Sequence, residues 1–453
     1  MAESTNTIQK EIQDREAKEK RELRRKRRRR NQILAILTLL LFVCLIVAII
    51  GTGVWYIMHR GAGKTAGGGA ATTEETTIDN LFESEDEIVK PEETNTEPAL
   101  TPEQQLDAIL DEAFISQMPL EDKVAGLFIV TPESITGVNK AVKAGDGTKD
   151  ALNKYAVGGI VYASQNMQDA AQFTEMVSNT TLYSRYALFT CVAEEGGSST
   201  SLEKAGLADK TDSEQAMGTG ADAAKAYEAS GKIADSMLTY GLNLNFAPVA
   251  DLATVQDSYL KDASYGSDAA LAASFVTSAV QGMQEKGISS CLKYFPGAAD
   301  MKEDPAKGMA SSERTAEQLA AEEFTVFKAG IDAGVDMVMV GHVAVPALTG
   351  DNTPCSLSSA VITDKLRNEL GFNGVIITDA MNKGAITEYY EADEAAILAL
   401  KAGCDMILCP DDFEKAYNGV LEAVQNGTIS EERINDSLRR IYRIKYAGMM
   451  PEA

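Results

Sequence analysis

Histidine is almost missing from this 453-residue chain: His59 and His342 are the only two, which excludes a metal site built from several imidazoles. Positive charge is in short supply as well. Lysine and arginine number 42 against 67 aspartates and glutamates, a formal net charge of -25. A body of that sign repels phosphate backbones, which argues against general nucleic-acid binding. Cysteine is sparse too. Cys44 falls in an apolar run, and Cys191, Cys291, Cys355, Cys404 and Cys409 follow at no framework spacing, mostly within apolar runs. An odd number so placed points to buried thiols rather than disulfides. What is present is ordinary for a globular protein, with 45% hydrophobic residues, 36 Gly and 12 Pro, so wholesale disorder is excluded.

The charge is unevenly spread. Residues 1–32 carry 12 Lys/Arg and 6 Asp/Glu, leaving 30 and 61 for residues 33–453. Residues 21–30 read RELRRKRRRR, and residues 33–58 then run almost without polarity and without charge. As a helix that run covers about 39 Å, enough to cross a hydrocarbon layer of about 30 Å with tilt. It is longer than the apolar core of a signal peptide. The basic block on its N-terminal side places residues 1–32 in the cytoplasm, residues 33–58 in the bilayer as a single transmembrane helix, and the rest outside. Residues 59–100 are Gly- and Thr-rich, then acidic, with ten carboxylates and one lysine between Glu74 and Glu97. Such a segment cannot bury a core and reads as a flexible, disordered tether.

Residues 101–453 alternate between short apolar runs of strand length and longer segments of helical period. Thr101-Pro102, with Gln104 beyond, opens a helix. Eight strand-like runs follow, at 124–130, 158–162, 187–192, 242–248, 289–295, 335–340, 374–378 and 405–409. Continuous Val/Ile/Leu runs mark strands buried on both faces, as in parallel sheets. Eight strand–helix units predict an α/β fold, a (β/α)8 barrel of the TIM type. A doubly wound open sheet would need a Gly-rich turn after its first strand, and LFIVTPES has none. In a barrel, chemistry sits at the C-terminal ends of the strands. Those ends carry Ser164-Gln165-Asn166, Glu194-Glu195-Gly196-Gly197, Asp251, Lys293-Tyr294, His342 and Asp379. Any single one reads equally as a strand terminus; six on one rim suggest a polar pocket for a hydroxyl-rich ligand such as a sugar.

Ordered motifs run along the same stretch: MPLEDKVAGLFIV at 118–130, VGGIVY at 157–162, EEGG at 194–197 and GLNLNFAPVADL at 241–252. KYFPGAAD at 293–300, DMVMVGHV at 336–343, LRNELGFNGVIITDAM at 366–381 and ALKAGCDMIL at 399–408 complete the set. In this order they resemble the N-terminal barrel of glycoside hydrolase family 3, and in particular its single-domain bacterial β-N-acetylglucosaminidases. The resemblance implies hydrolysis of β-linked N-acetylhexosamine glycans, such as cell-wall amino sugars, by a retaining mechanism without metal or organic cofactor. It implies that Asp379, in a GVIxTD-like pattern, is the nucleophile that forms a covalent glycosyl intermediate, with a paired acid about 5–5.5 Å away. The other reading of Asp379 is a helix N-cap after the strand.

Several family positions are changed. The acid/base loop that reads KHFPGHGDTxxDSH in the family is KYFPGAADMKEDPA here. Lys293 and Asp304 match, while Tyr294, Ala298 and Ala306 stand where histidines are expected. DxEGGR becomes Ala193-Glu194-Glu195-Gly196-Gly197-Ser198, and RSFG becomes Ala263-Ser264-Tyr265-Gly266, so two sugar-contacting arginines and an aspartate are lost. Asp304 or Glu303 is the candidate replacement acid, since a carboxyl in a dry pocket titrates high. The resemblance leaves Lys293, Tyr294, His342, Asp251 and Glu195 as candidate substrate contacts, with His342 equally readable as a buried, hydrogen-bonded strand end. Two functions stay open: a membrane-anchored extracellular hexosaminidase-type hydrolase, or a catalytically lapsed barrel that binds wall glycan or a partner protein. A Schiff-base lyase using Lys293 is a third class, for which no phosphate grip is visible.

Overall fold

The computed structural model describes residues 102–447, other than Gln256, Ala298 and Ala299. The expected basic segment, transmembrane helix and acidic tether lie outside the described residues. Among the described residues no helix is long and apolar enough to cross a membrane.

Eight strands form one parallel sheet: β1 Phe128–Val130, β2 Gly159–Val161, β3 Phe189–Val192, β4 Leu244–Asn245, β5 Ser289–Phe295, β6 Met337–Val340, β7 Val375–Thr378 and β8 Ile407–Leu408. Their order is β7-β6-β5-β4-β3-β2-β1-β8, and a parallel bridge between Ile377 and Met406 brings β7 against β8, closing the barrel. Each strand is followed by a helix of the outer ring: Asp146–Lys154, Ala170–Tyr183, Ala224–Thr239, Ala269–Gln284, Glu323–Asp332, Ala360–Glu369, Ala392–Ala402 and Phe413–Gln425. Every residue of β1, β3, β6 and β7 is buried, which is why these strands read as unbroken apolar runs. Cys191, Cys291, Cys355 and Cys404 are buried free thiols and Cys409 is a half-buried one.

β5 fills its apolar run and the other seven strands are shorter, three of them with a visible local feature. Val124 and Ala125 belong to the helix Leu120–Ala125 that plugs the entrance to β1. At β8, Cys409 adopts a left-handed φ of 43°, which ends the strand. Around β4 side-chain amides add to the backbone ladder. Asn243 accepts from Thr190 N (2.8 Å) and donates to Leu188 O (3.0 Å), and Asn245 accepts from Glu194 N and donates to Glu194 O, both at 2.9 Å. Each amide supplies one donor and one acceptor, so it can replace a residue of backbone pairing.

The last helix, Glu431–Tyr446, buries Ile434, Leu438, Ile441 and Tyr442, spaced one helical face apart. It packs where Asp405 begins the last strand run. That carboxylate is fully buried: Oδ2 accepts from Arg367 Nη2 (2.7 Å) and Ile376 N (2.9 Å), and Oδ1 from Ser437 Oγ (2.9 Å) and Arg440 Nη1 (3.0 Å). Arg433 lies 3.7 Å from the same carboxylate. Removing one partner of a buried ion pair strands the other charges, at a cost of about 3–5 kcal/mol. Asp405→Asn is therefore expected to lower the unfolding free energy by about that amount, read from urea unfolding followed by circular dichroism. A loss below about 1 kcal/mol would show that the arginines find other partners.

Candidate active site

At the C-terminal end of β7, Asp379 is 6% exposed. Its Oδ1 accepts from Ala380 N at 2.7 Å, and its Oδ2 from Lys383 Nζ at 2.6 Å. Burial pushes the carboxyl upward, but the Lys383 ammonium, the neighbouring His342 and these hydrogen bonds outweigh it and hold the group below the ordinary aspartate range. Asp379 is thus an anion in a dry site. Both of its oxygens are engaged.

Tyr294, at the end of β5, connects this ion pair to a second one. Its ring lies 5.4 Å from Lys383 Nζ and 5.3 Å from Lys293 Nζ, a cation–π contact to each. Lys293 is 3% exposed and forms an ion pair with Glu195, which is 8% exposed, at the end of β3. Burial pulls the Lys293 ammonium downward, but Glu195, Tyr294 and Glu214 raise it well above the usual lysine range. Lys293 is therefore a fixed cation, which removes the neutral amine that a Schiff-base reaction requires.

Glu214 was not visible in the motif reading. It opens the helix Glu214–Thr219 and is 2% exposed, and Val249 N donates to both of its oxygens at 3.1 and 3.2 Å. Burial, and then the Glu195 charge, push its carboxyl well above the usual range, against the pull of Val249 N–H and Lys293. One lysine thus stands near two buried carboxylates. Lys383, one helical turn beyond Asp379, and Tyr259 were also missed. Tyr259 is pushed up by burial and then by the fields of Asp251, Tyr294, Asp379 and Asp304.

The remaining expected residues fall into two sets. Asp304 is half-buried and caps the turn Pro305–Lys307, its Oδ1 accepting from Ala306 N at 2.9 Å. This turn lies on the loop that follows Asp379: a Cβ on Gly384 would stand 2.8 Å from Gly308 N and 3.2 Å from Ala306 O, so only glycine admits the contact. Glu303 is exposed. Asp251 is 2% exposed and ties down its own loop, with Oδ1 accepting from Leu252 N (2.8 Å) and its carbonyl accepting from Ser264 Oγ (2.8 Å).

His342 departs from the expected substrate contact. It is 1% exposed, its Nε2 lies 3.0 Å from the Ala380 carbonyl and its Nδ1 2.7 Å from Ser356 Oγ. A carbonyl only accepts, so Nε2 carries the proton and Nδ1 accepts from the serine. Burial holds the ring below the usual histidine range, in its neutral form. Both nitrogens are committed to the protein, and the ring orients the backbone beside Asp379.

Gln165 and Asn166 turn to Glu133 Oε1, at 3.4 and 2.6 Å, and brace the loop after β1. Glu194 points away from Lys293. Its Oε1 accepts from Ser201 N and Leu202 N, both at 2.5 Å, and it lines a separate cavity of about 250 Å³ with Leu202, Thr211 and Lys232. Burial lifts its carboxyl to about 7, against those two N–H groups. Among the described residues no cluster of three or more His, Cys, Asp or Glu side chains is placed to hold a metal ion.

A closed parallel barrel with a buried anion at the end of β7 and an acidic residue on the facing loop is the frame of a glycosidic-bond hydrolase. The pattern of the glycosyl hydrolase family 3 N-terminal domain matches residues 119–444, and the chain belongs to this family. It is 30% identical over 284 residues to a beta-hexosaminidase of Stenotrophomonas maltophilia, covering 60% of this chain and 82% of that one. A beta-N-acetylglucosaminidase/beta-glucosidase of Cellulomonas fimi is 25% identical over 299 residues, 64% of this chain and 52% of the relative. Among solved structures, the family 3 beta-N-acetylglucosaminidase of a Paenibacillus species superposes with a TM-score of 0.69 at 32% identity. That superposition covers 74% of this chain and spans 64% of the Paenibacillus protein. A beta-N-acetylhexosaminidase of Beutenbergia cavernae gives 0.65 at 25% identity, over 73% and 99% of the two chains.

Lys383 is the main counterweight to burial at Asp379. In Lys383→Met the Asp379 carboxyl is expected to titrate at higher pH than in the parent, followed by carbon NMR of aspartate-labelled protein. An unchanged titration would transfer the role to His342 and the Ala380 N–H.

Proposed function

We propose that the barrel is a retaining glycoside hydrolase acting on β-linked N-acetylhexosamine, with Asp379 as nucleophile. The observation that carries this is an ionised carboxylate, dry and fixed, at the end of β7. The relatives named beta-hexosaminidase support the substrate class. In the reaction, Asp379 leaves Lys383, attacks the anomeric carbon and forms a glycosyl ester while the leaving oxygen takes a proton. Water then attacks the same carbon, gives its proton to the group that protonated the leaving oxygen, and the C–O ester bond breaks to return the Asp379 anion to its lysine. The proton donor is drawn from the loop of Asp304 and Glu303, which packs on the Gly384 turn. Acid assistance is worth about 10²–10⁴ in rate, so an activated aryl leaving group depends on that donor far less than a sugar does.

A second reading is a barrel that binds wall glycan or a partner without turnover. It is supported by the Lys383 hold on Asp379 and by the absence of histidine from the acid/base loop. The two diverge on an aryl β-N-acetylglucosaminide with the full-length chain in detergent. The hydrolase predicts release of the aryl alcohol that falls at least about 10³-fold in Asp379→Asn. Retention on insoluble glycan without release, equal in both proteins, would establish the binding reading.

The location follows from residues 21–58. We infer a single-pass anchor with a cytoplasmic N-terminus and an extracellular barrel. The full-length protein is expected to stay with membranes through an alkaline carbonate wash, and its barrel to be cut by protease added to intact cells. Release into the wash, or protection from protease, would count against it.

A further inference from the structure

The cavity beside Glu194 takes no part in the mouth chemistry. Glu194 and Glu195 are consecutive, yet Glu195 pairs with Lys293 while Glu194 lines about 250 Å³ of space between residues 202–211 and the helix Ala224–Thr239. The Glu194 backbone is fixed to the Asn245 amide through both its N–H and its carbonyl, at 2.9 Å each. The facing loop is braced as well. Leu207 N donates to Leu202 O at 2.9 Å, Tyr240 Oη to Leu207 O at 2.8 Å and Gly197 N to Thr211 O at 3.0 Å. The cavity is therefore preformed, as small-ligand sites are.

Glu194 is 3% exposed, and only one of its oxygens is used. Oε1 accepts from Ser201 N and Leu202 N, whereas Oε2 has no hydrogen-bond partner among the described residues. A buried carboxyl without an ion-pair partner is costly to ionise, and burial accordingly lifts it to about 7. Leu202 and Ile233 make the wall partly apolar, and the exposed Lys210 and Lys232 stand at the rim. Among the described residues neither ammonium has a carboxylate within ion-pair distance. Asp235 lines the same cavity but is taken by Lys286 at 3.0 Å. Asp209, the remaining acidic residue there, is exposed, so water and salt screen it as they cannot screen Glu194.

We propose that this cavity binds a small zwitterion, its ammonium on Glu194 Oε2 and its carboxylate on Lys210 and Lys232. An ammonium brings the donors and the positive charge that Oε2 lacks, and a carboxylate brings the acceptors that the two lysines lack. A simple anion meets the Glu194 carboxyl on entry, and a simple amine leaves both lysines unanswered. The volume matches about eight water molecules at about 30 Å³ each, which suits a molecule of amino-acid size. The inference stands apart from the hydrolase reading, since neither Asp379 nor Lys293 lines the cavity.

The test is calorimetric titration of the full-length chain in detergent. The probes are glycine, β-alanine and γ-aminobutyrate, which differ in the spacing of their two charges, and propylamine and propionate, which carry one charge each. At least one zwitterion is expected to bind about tenfold or more tightly than either single-charge control, and Glu194→Gln and Lys232→Met each to weaken it by about tenfold or more. Glu194→Gln keeps an acceptor for Ser201 N and Leu202 N, and Lys232 is on an exposed helix face, so both variants are expected to retain the parent's thermal unfolding. Should Glu194→Gln unfold, Lys232→Met alone decides. Zwitterions that bind no more tightly than propylamine or propionate, or zwitterion binding unmoved by either substitution in a folded protein, overturn the proposal.

Discussion

A single buried carboxylate braces the closure of this barrel at its base. Asp405 offers its backbone N–H to Ile376 O at 2.7 Å and its Oδ2 to Ile376 N, so β7 and the start of the last strand are joined by one residue acting on both sides. The same carboxylate gathers arginines from the helix after β6 and from the final helix. A charge fully removed from water is tolerable only with such a set of donors, so the position of the final helix is dictated by the carboxylate that its arginines satisfy. The ring is closed at its base, opposite the mouth, which leaves the strand ends free for chemistry.

At the mouth the same physics is used with fewer partners. Lys293 and Glu195 neutralise one another, burial and the Glu195 charge push the Glu214 carboxyl upward, and Lys383 holds Asp379 below the ordinary aspartate range where burial alone would raise it. Tyr294 offers a cation–π contact to each of the two ammoniums. The aromatic ring at that position therefore has an electrostatic task of its own.

Much of this was readable from the chain. Strands buried on both faces announce themselves as apolar runs, and the end of each run located Asp379, Lys293 and Glu195. Run length did not give strand length: LNLNFAP reads as a strand of seven, but Asn243 and Asn245 also pair through their amides, which hydrophobicity cannot register. His342 sat at a strand end like the others, and only the positions of Ser356 and the Ala380 carbonyl show it committed to the backbone. Lys383 had a signal, a basic residue four positions after an acidic one on a turn, whereas Glu214 had none, because its meaning comes from Glu195 and Lys293, far away in sequence.

The Lys293–Glu195 pair at the mouth also differs from those on the outside in what it senses. Lys154–Glu414 and Lys286–Asp235 are wet, with side chains 46–62% exposed, and dissolved ions screen them within a Debye length. Lys293–Glu195 has no water to carry counterions past it, with side chains 3% and 7% exposed. Changes in ionic strength thus loosen these outer pairs while Lys293–Glu195 keeps one electrostatic setting.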